Sequence, residues 1–293
     1  MRLRELAGYI APTTLIGTLL LYFGYAGTRA RFEYFGVSLD LLDMSTQDLS
    51  LQGLEVVYVP AVLVALLALA AIVAHAAVSW TLSRPGGEFL ALVAAGLAAL
   101  IGLLLLARGL LGVLQPDIAR EEDPPGQTPL ALAIGPALLT YGIRIALRLA
   151  PGGADGAIGR WYASRPVRTL RLGALTAVAA LAVGGSFWAA DSFARAYGTG
   201  RAFEDARHLS ERPAVVLDTV RPLPARETGP GVTERRLERR AGDPYRFRYG
   251  GLRLLAESGD RLFLVPAQWR RGSGTLVLPY DDTVRLRLVP GPP

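Results

Sequence analysis

The chain has 293 residues, a hydrophobic content of 51% and a formal net charge of +6. It contains neither cysteine nor lysine. These two absences exclude disulfides, thiolate nucleophiles, Cys-ligated metals, lysine Schiff bases and phosphate-binding loops that use a lysine. The arginines are dispersed along the chain rather than gathered in one stripe, so no nucleic-acid partner is expected.

Five long apolar stretches dominate the sequence. An α-helix needs about 20 residues to cross roughly 30 Å of hydrocarbon, and it satisfies its own backbone polar groups where water is absent. The sequence therefore predicts an α-helical integral membrane bundle of about five transmembrane helices, within a transmembrane domain at 1–192. The predicted spans lie near 9–26, 57–80, 89–107, 130–150 and 170–190.

The first apolar stretch follows Arg2 and Arg4, as the apolar region of a secretory signal peptide would. The stretch is long, however, and residues 24–31 contain no convincing A-x-A cleavage site. We therefore interpret it as an uncleaved signal anchor, which forms the first transmembrane helix.

Arginines are distributed unequally between the loops, and cytoplasmic loops of membrane proteins carry the excess. The pattern predicts a plasma (inner) membrane protein with a cytoplasmic N-terminus, and five spans then give an extracytoplasmic C-terminus. In this orientation the outer segments carry Arg29, Arg31, Arg108 and Arg120. The cytoplasmic segments carry Arg2, Arg4, Arg84, Arg144, Arg148, Arg160, Arg165, Arg168 and Arg171.

Two local patterns precede the second span. Residues 32–42 mix aromatic and aliphatic side chains with acids, which is typical of a segment at the outer membrane interface. Ser45, followed three residues later by Asp48, resembles a capping box and predicts a helix that begins near Thr46.

After the fifth span the sequence changes character. Residues 193–210 predict a polar helical stalk, and residues 211–293 predict a small mainly-β extracytoplasmic domain. Apolar and polar residues alternate there with a period of two, which is typical of strands. The predicted strands lie at 214–220, 232–239, 245–255, 261–266, 275–278 and 283–289. We expect residues 211–293 to fold alone.

The clearest alternation runs from Tyr245 to Tyr249, where aromatic residues alternate with Arg246 and Arg248. A one-sided sheet buries one face, and unpaired arginines are costly to bury. We therefore expect Tyr245, Phe247 and Tyr249 in the core. Truncation of Phe247 should unfold the domain, and truncation of Arg248 should have little effect.

Several of these segments resemble a family of uncharacterised multi-pass membrane proteins of actinobacterial type with a C-terminal extracytoplasmic β-domain. The resemblance implies a bacterial cell-membrane protein and no particular activity. It touches both ends of the chain and leaves the third and fourth spans uncovered. The segments are FGV at 35–37, STQD at 45–48, YVP at 58–60, YRFRYGGLRLL at 245–255 and LPYDDTVR at 278–285.

His75 is the only histidine within a predicted span. Ionisable residues inside a membrane often serve function, so His75 is a candidate intramembrane polar site in a proton relay or as a ligand. The structural alternative, which we favour, is an interfacial imidazole whose ring nitrogens are satisfied by neighbouring groups.

Six arginines near the cytoplasmic ends of the last two spans form a predicted basic collar. Each is worth roughly 1 kcal/mol against anionic lipid headgroups. We favour an anchoring role that fixes topology, and a specific lipid or partner site is the sharper alternative. The collar comprises Arg144, Arg148, Arg160, Arg165, Arg168 and Arg171.

The remaining motifs indicate little chemistry. Glu121, Glu122 and Asp123 form an acidic loop rather than a cation site, and neither a zinc-ligand cluster nor a serine triad is apparent. We expect no catalytic residue, no metal and no cofactor. Thr176, Ala180 and Gly184 form a small-residue stripe that we expect to pack within the chain rather than in a dimer.

The leading functional hypothesis is a non-enzymatic binding, sensing or scaffold protein that displays a small β-domain outside the cell. Its expected partners are the lipid bilayer and an envelope protein, and an oligomer is compatible with the sequence. The alternative is a small oligomeric channel or transporter with the β-domain as its outer cap.

Overall fold

The computed structural model describes residues 3–115, 124–150, 156, 160–161, 164–224, 229–238 and 242–290. Side chains are described from Thr14 onward, except that of Arg165. The acidic loop at 121–123 lies outside the described residues.

Five long helices account for the apolar stretches: α1 (Leu3–Glu33), α2 (Thr46–Leu82), α3 (Glu88–Leu114), α4 (Gln127–Arg148) and α5 (Arg165–Arg207). Among the described residues, α2, α3, α4 and α5 are long and apolar enough to cross a membrane. The membrane class is therefore confirmed for four of the five predicted spans. The first predicted span lies within α1, and its crossing remains a prediction.

The start of α2 confirms the predicted capping box. The backbone N–H of Asp48 donates to Ser45 Oγ at 3.1 Å, and the backbone N–H of Ser45 donates to Asp48 Oδ2 at 3.2 Å. Both donors belong to groups that a helix N-terminus leaves without intrahelical partners. This cap explains why the helix begins at Thr46.

The chain packs as two compact units. The sheet unit contains Met1–Val56 and Ala194–Pro293, and the helical unit contains Val57–Phe193. This grouping differs from the predicted boundaries at 192 and 211, because the N-terminal residues pack with the C-terminal part of the chain.

In the helical unit, α3 and α4 pack closely through glycines. A Cβ at Gly102 would lie 2.4 Å from the backbone nitrogen of Leu139, and one at Gly142 would lie 2.5 Å from the carbonyl oxygen of Ala95. Small residues allow two helix backbones to approach where lipid provides no hydrophobic force between them. These glycines therefore set the spacing of the two helices.

We expect Gly102→Ala to lower the melting temperature of the purified protein in detergent. The added methyl group must displace backbone rather than a flexible side chain, and overpacking of this kind costs about 1–3 kcal/mol. Gly96→Ala is the matched control, because a Cβ there meets nothing within 4 Å. Equal melting temperatures for the two variants would contradict the proposed close packing.

The small-residue stripe on α5 does not pack within the chain as expected. Thr176, Ala180 and Gly184 are all exposed. The contact uses the neighbouring face instead, where a Cβ at Gly185 would lie 2.7 Å from the carbonyl oxygen of Pro129 on α4. The expectation was wrong because α5 offers small residues on both faces, and only the partner helix determines which face is buried.

The C-terminal residues form one six-stranded antiparallel sheet, which confirms the predicted strands. The path order is β5–β4–β3–β1–β6, and β2 pairs with β3. Its strands are β1 (Ala214–Thr219), β2 (Thr233–Arg236), β3 (Phe247–Ser258), β4 (Arg261–Pro266), β5 (Leu276–Pro279) and β6 (Val284–Val289).

Two hydrophobic cores lie on opposite faces of β4. Leu262 and Leu264 belong to the sheet core, which also contains Val215, Leu217, Tyr249, Leu252, Leu276 and Val284. Phe263 and Val265 belong to the shared core, which also contains Phe35, Val37, Leu39, Leu42, Ala202, Leu209 and Leu255. Alternate residues of a strand point to opposite faces, so β4 is buried on both.

The shared core joins the N-terminal segment to the sheet. Phe35 is 1% exposed, its ring centroid lies 5.0 Å from that of Trp269, and its carbonyl oxygen accepts a 2.6 Å hydrogen bond from Thr275 Oγ1. The expectation that residues 32–42 lie at the membrane interface therefore misses the main role of this segment, which is to cover one face of the sheet.

Candidate functional site

The structure brings two members of the basic collar into one groove. Arg144 of α4 and Arg171 of α5 both line it, together with Trp161. Arg148, Arg160 and Arg168 are not among the lining residues, and the side chain of Arg165 lies outside the described part of the chain.

His75 has a side-chain partner that the sequence did not indicate. Its Nδ1 lies 3.0 Å from the hydroxyl oxygen of Tyr141, and the two rings meet edge to face with centroids 5.8 Å apart. Two polar groups inside apolar helices thus satisfy each other, which favours the structural interpretation of His75. Among the described residues, no group of three or more His, Asp or Glu side chains could hold a metal ion.

A row of charged side chains crosses the sheet, and sequence reasoning missed it. Strand register places Arg235 of β2 opposite Arg248 of β3, Arg248 opposite Asp218 of β1, and Asp218 opposite Arg285 of β6. Directly opposed residues share a face and lie about 4.5–5.5 Å apart at Cβ. We call Arg235, Arg248, Asp218 and Arg285 the charged row. It lies on the face opposite the sheet core.

Asp218 is the buried centre of the charged row, with 4% of its surface exposed. Arg248 donates two hydrogen bonds to the Asp218 carboxylate, from Nε to Oδ1 at 2.7 Å and from Nη2 to Oδ2 at 2.9 Å. Arg285 donates a third, from Nη2 to Oδ2 at 2.9 Å. Paired arginine forks of this kind are strong and directional, because the planar guanidinium matches the carboxylate.

The electrostatics follow from these contacts. The hydrogen bond from Arg248 lowers the pKa of the Asp218 carboxyl below its ordinary value, and Arg285 acts in the same direction. Together the two arginines outweigh the burial of the carboxyl, which alone would raise its pKa. Asp218 is therefore a fixed negative charge at neutral pH.

The outer members of the charged row differ in their surroundings. Arg285 also lies 3.6 Å from Asp243 and stacks over Tyr245, with its guanidinium carbon 4.4 Å from the ring centroid. Arg235 has no ion-pair partner among the described residues. It also stands directly opposite another arginine, Arg248. Like charges in directly opposed positions are destabilising, so Arg235 is held where an anion would be favourable.

The predicted aromatic core is confirmed in part. Tyr249 is buried in the sheet core, and its hydroxyl donates to Glu234 and accepts from the backbone N–H of Leu223. Tyr245 and Phe247 are only half-buried. Arg248 is not a dispensable surface residue, because it neutralises Asp218. One sequence signal was present: Asp218 is the single charged residue in the strand AVVLDT.

No protein-family model, no curated protein and no solved structure matches the chain. The resemblance to actinobacterial membrane proteins stays a prediction from the motifs at 35–37, 45–48, 58–60, 245–255 and 278–285.

Proposed function

We propose that the protein is a non-enzymatic integral membrane protein that presents its six-stranded sheet outside the cell and binds an acidic segment of an envelope protein there. The observation that carries this proposal is the charged row. Three arginines and one buried aspartate stand side by side across four strands, and one of those arginines lacks a counter-charge in the described chain.

The chemistry of the row favours a carboxylate-bearing ligand. Arg248 is already paired with Asp218. The guanidinium of Arg235, on the neighbouring strand, remains for a ligand carboxylate. A carboxylate that pairs with Arg235 would also relieve the repulsion between Arg235 and Arg248. Successive strands are about 4.8 Å apart. An extended acidic peptide that lies across the strands can therefore pair with several guanidiniums of the row.

The proposed location is supported by the arginine bias of the predicted loops, which favours an extracytoplasmic C-terminus. The alternative function, a small channel or transporter, remains a hypothesis. His75, the candidate intramembrane polar site, is hydrogen-bonded to Tyr141.

We expect a fluorescent deca-glutamate peptide to bind the purified full chain in neutral detergent, and Arg235→Gln to weaken binding about tenfold. One lost charge-assisted hydrogen bond contributes about 1.5–3 kcal/mol, and about 1.4 kcal/mol is a factor of ten. Fluorescence anisotropy measures the affinity. Binding should weaken with rising salt, because the row is exposed at its edge.

Arg270→Gln is the matched control, because it removes the same charge from an exposed position outside the row. Equal losses for the two variants would reduce the effect to net charge and would refute the proposed site. Right-side-out membrane vesicles should bind the peptide and inverted vesicles should not. The reverse result would overturn the proposed orientation while leaving the site intact.

A further inference from the structure

A groove of about 450 Å³ lies between α4 and α5 in the helical unit. This volume falls within the range of ligand sites, about 300–1,000 Å³. Ile143, Leu147 and Leu170 provide apolar walls, and Arg144, Arg171 and Trp161 line the same groove. The groove therefore combines a long apolar surface with two cationic groups and one amphipathic ring.

The two helices contribute to the groove in the same pattern. From α4 come residues 140, 143, 144 and 147, and from α5 come residues 167, 170, 171 and 174, with Leu175 beside them. Both sets follow the spacing i, i+3, i+4, i+7, which defines one face of a helix. Each set places its arginine at the third position. The two guanidiniums are thus presented by matching positions of two facing stripes.

The walls of the groove are apolar, and the described part of the chain leaves them exposed. Leu170 is 74% exposed and Trp161 is 64% exposed. Exposure of such an apolar surface to water is unfavourable. Tryptophan, in turn, prefers the boundary between hydrocarbon and headgroups. An occupant must therefore bring hydrocarbon to the walls.

The arginines determine the other half of the occupant. A neutral lipid would fill the walls but would carry no charge to attract the two guanidiniums. A small soluble anion would pair with the guanidiniums but would leave the apolar walls exposed to water. An amphiphile with an anionic head satisfies both requirements, because arginine forks match the phosphate geometry.

We propose that this groove binds one anionic phospholipid, with its acyl chains along the leucine-lined walls and its phosphate on Arg144 and Arg171. The site is specific: Arg148 and Arg168 of the same collar do not line it. The inference is independent of the acidic-peptide site, which lies in the sheet unit.

The test measures the melting temperature of the full chain in neutral detergent with added phosphatidylglycerol, and with phosphatidylcholine of the same acyl chains. We expect phosphatidylglycerol to raise the melting temperature by about 5 °C more than phosphatidylcholine does, since a ligand that binds only the folded state stabilises it. Native mass spectrometry should show one retained phosphatidylglycerol.

The variant Arg144→Gln/Arg171→Gln should lose this extra gain and the retained lipid. The control Arg148→Gln/Arg168→Gln removes the same charge from the same collar and should keep both. Ala174→Trp fills the groove while keeping both arginines in the chain and should also lose the bound lipid, which tests the site even if the first variant folds poorly.

Three outcomes would overturn the proposal. Equal gains from the two lipids would remove any role for the headgroup charge. Equal losses for the two double variants would indicate a diffuse collar rather than a site. An equal gain from inorganic phosphate alone would show that the walls contribute nothing.

Discussion

Phe35→Ala is expected to unfold the sheet unit, although Phe35 lies far from every strand in sequence. The ring is 1% exposed and packs in the shared core beside Phe263, Val265 and Trp269. Truncation of a buried phenylalanine typically costs about 3–5 kcal/mol, which is a large part of the stability of a small domain. Limited proteolysis of the full chain in detergent should then cleave within residues 211–290.

Leu41→Ala is the control for this prediction, because Leu41 lies in the same segment and is 39% exposed. It should leave the protease pattern unchanged. Because the shared core includes residues 35–42, residues 211–293 are no longer expected to fold alone. The excised fragment exposes Phe263 and Val265 and should aggregate or lack cooperative melting. A monomeric, cooperatively melting fragment would refute the importance of the shared core.

Arg248→Ala is expected to destabilise the sheet by about 2–3 kcal/mol, contrary to the sequence-based expectation of a mild effect. The variant leaves the buried Asp218 carboxylate with Arg285 as its remaining pair in the charged row. Breaking a buried ion pair typically costs about 3–5 kcal/mol. The lower figure applies here because Arg285 remains and Arg248 itself is 39% exposed. Thermal unfolding of the full chain measures the loss.

Arg261→Ala is the control, since Arg261 is exposed on β4 and has no ion pair among the described residues. Adding Asp218→Asn to Arg248→Ala removes the stranded charge and should recover part of the stability, which a double-mutant cycle quantifies. If the double variant is no more stable than Arg248→Ala, Arg248 acts through packing rather than through Asp218.

The pH dependence follows from the same carboxyl. The pKa of Asp218 is lowered in the folded protein by Arg248 and Arg285, so its contribution to stability is fully present above the ordinary aspartate pKa of about 3.9. That contribution is lost as the pH falls below about 3.9 toward the folded-state pKa. Asp218→Asn should remove this part of the acid sensitivity.

Local patterns were sufficient to predict the helices, the strands and the cap at Ser45. The 20-residue apolar runs, the period of two after residue 211 and the Ser45–Asp48 spacing each operate within a few residues. The sites required information of another kind. The charged row depends on the register of four strands, and neither Asp218 nor Arg235 identifies its partner from sequence alone.

Helix packing shows the same limit. Gly102 and Gly96 stand in one apolar helix, yet only Gly102 meets a backbone neighbour. The sequence predicted the six arginines of the collar but not the groove. Only the positions of Arg144 on α4 and Arg171 on α5 distinguish these two arginines from the other four. Phe35 was placed at the membrane interface because its partners lie more than 200 residues away.

This separation has a consequence for biosynthesis. Phe263 lies 228 positions after Phe35 in the chain. At about 5–20 residues per second, a ribosome needs on the order of 10–50 s to travel that distance. The N-terminal segment must wait throughout that interval without its partner strands, so the sheet unit cannot assemble until translation is almost complete. A truncated chain would leave Phe35, Val37, Leu39 and Leu42 without the β4 partners that bury them. Chaperones and proteases would recognise these exposed apolar side chains.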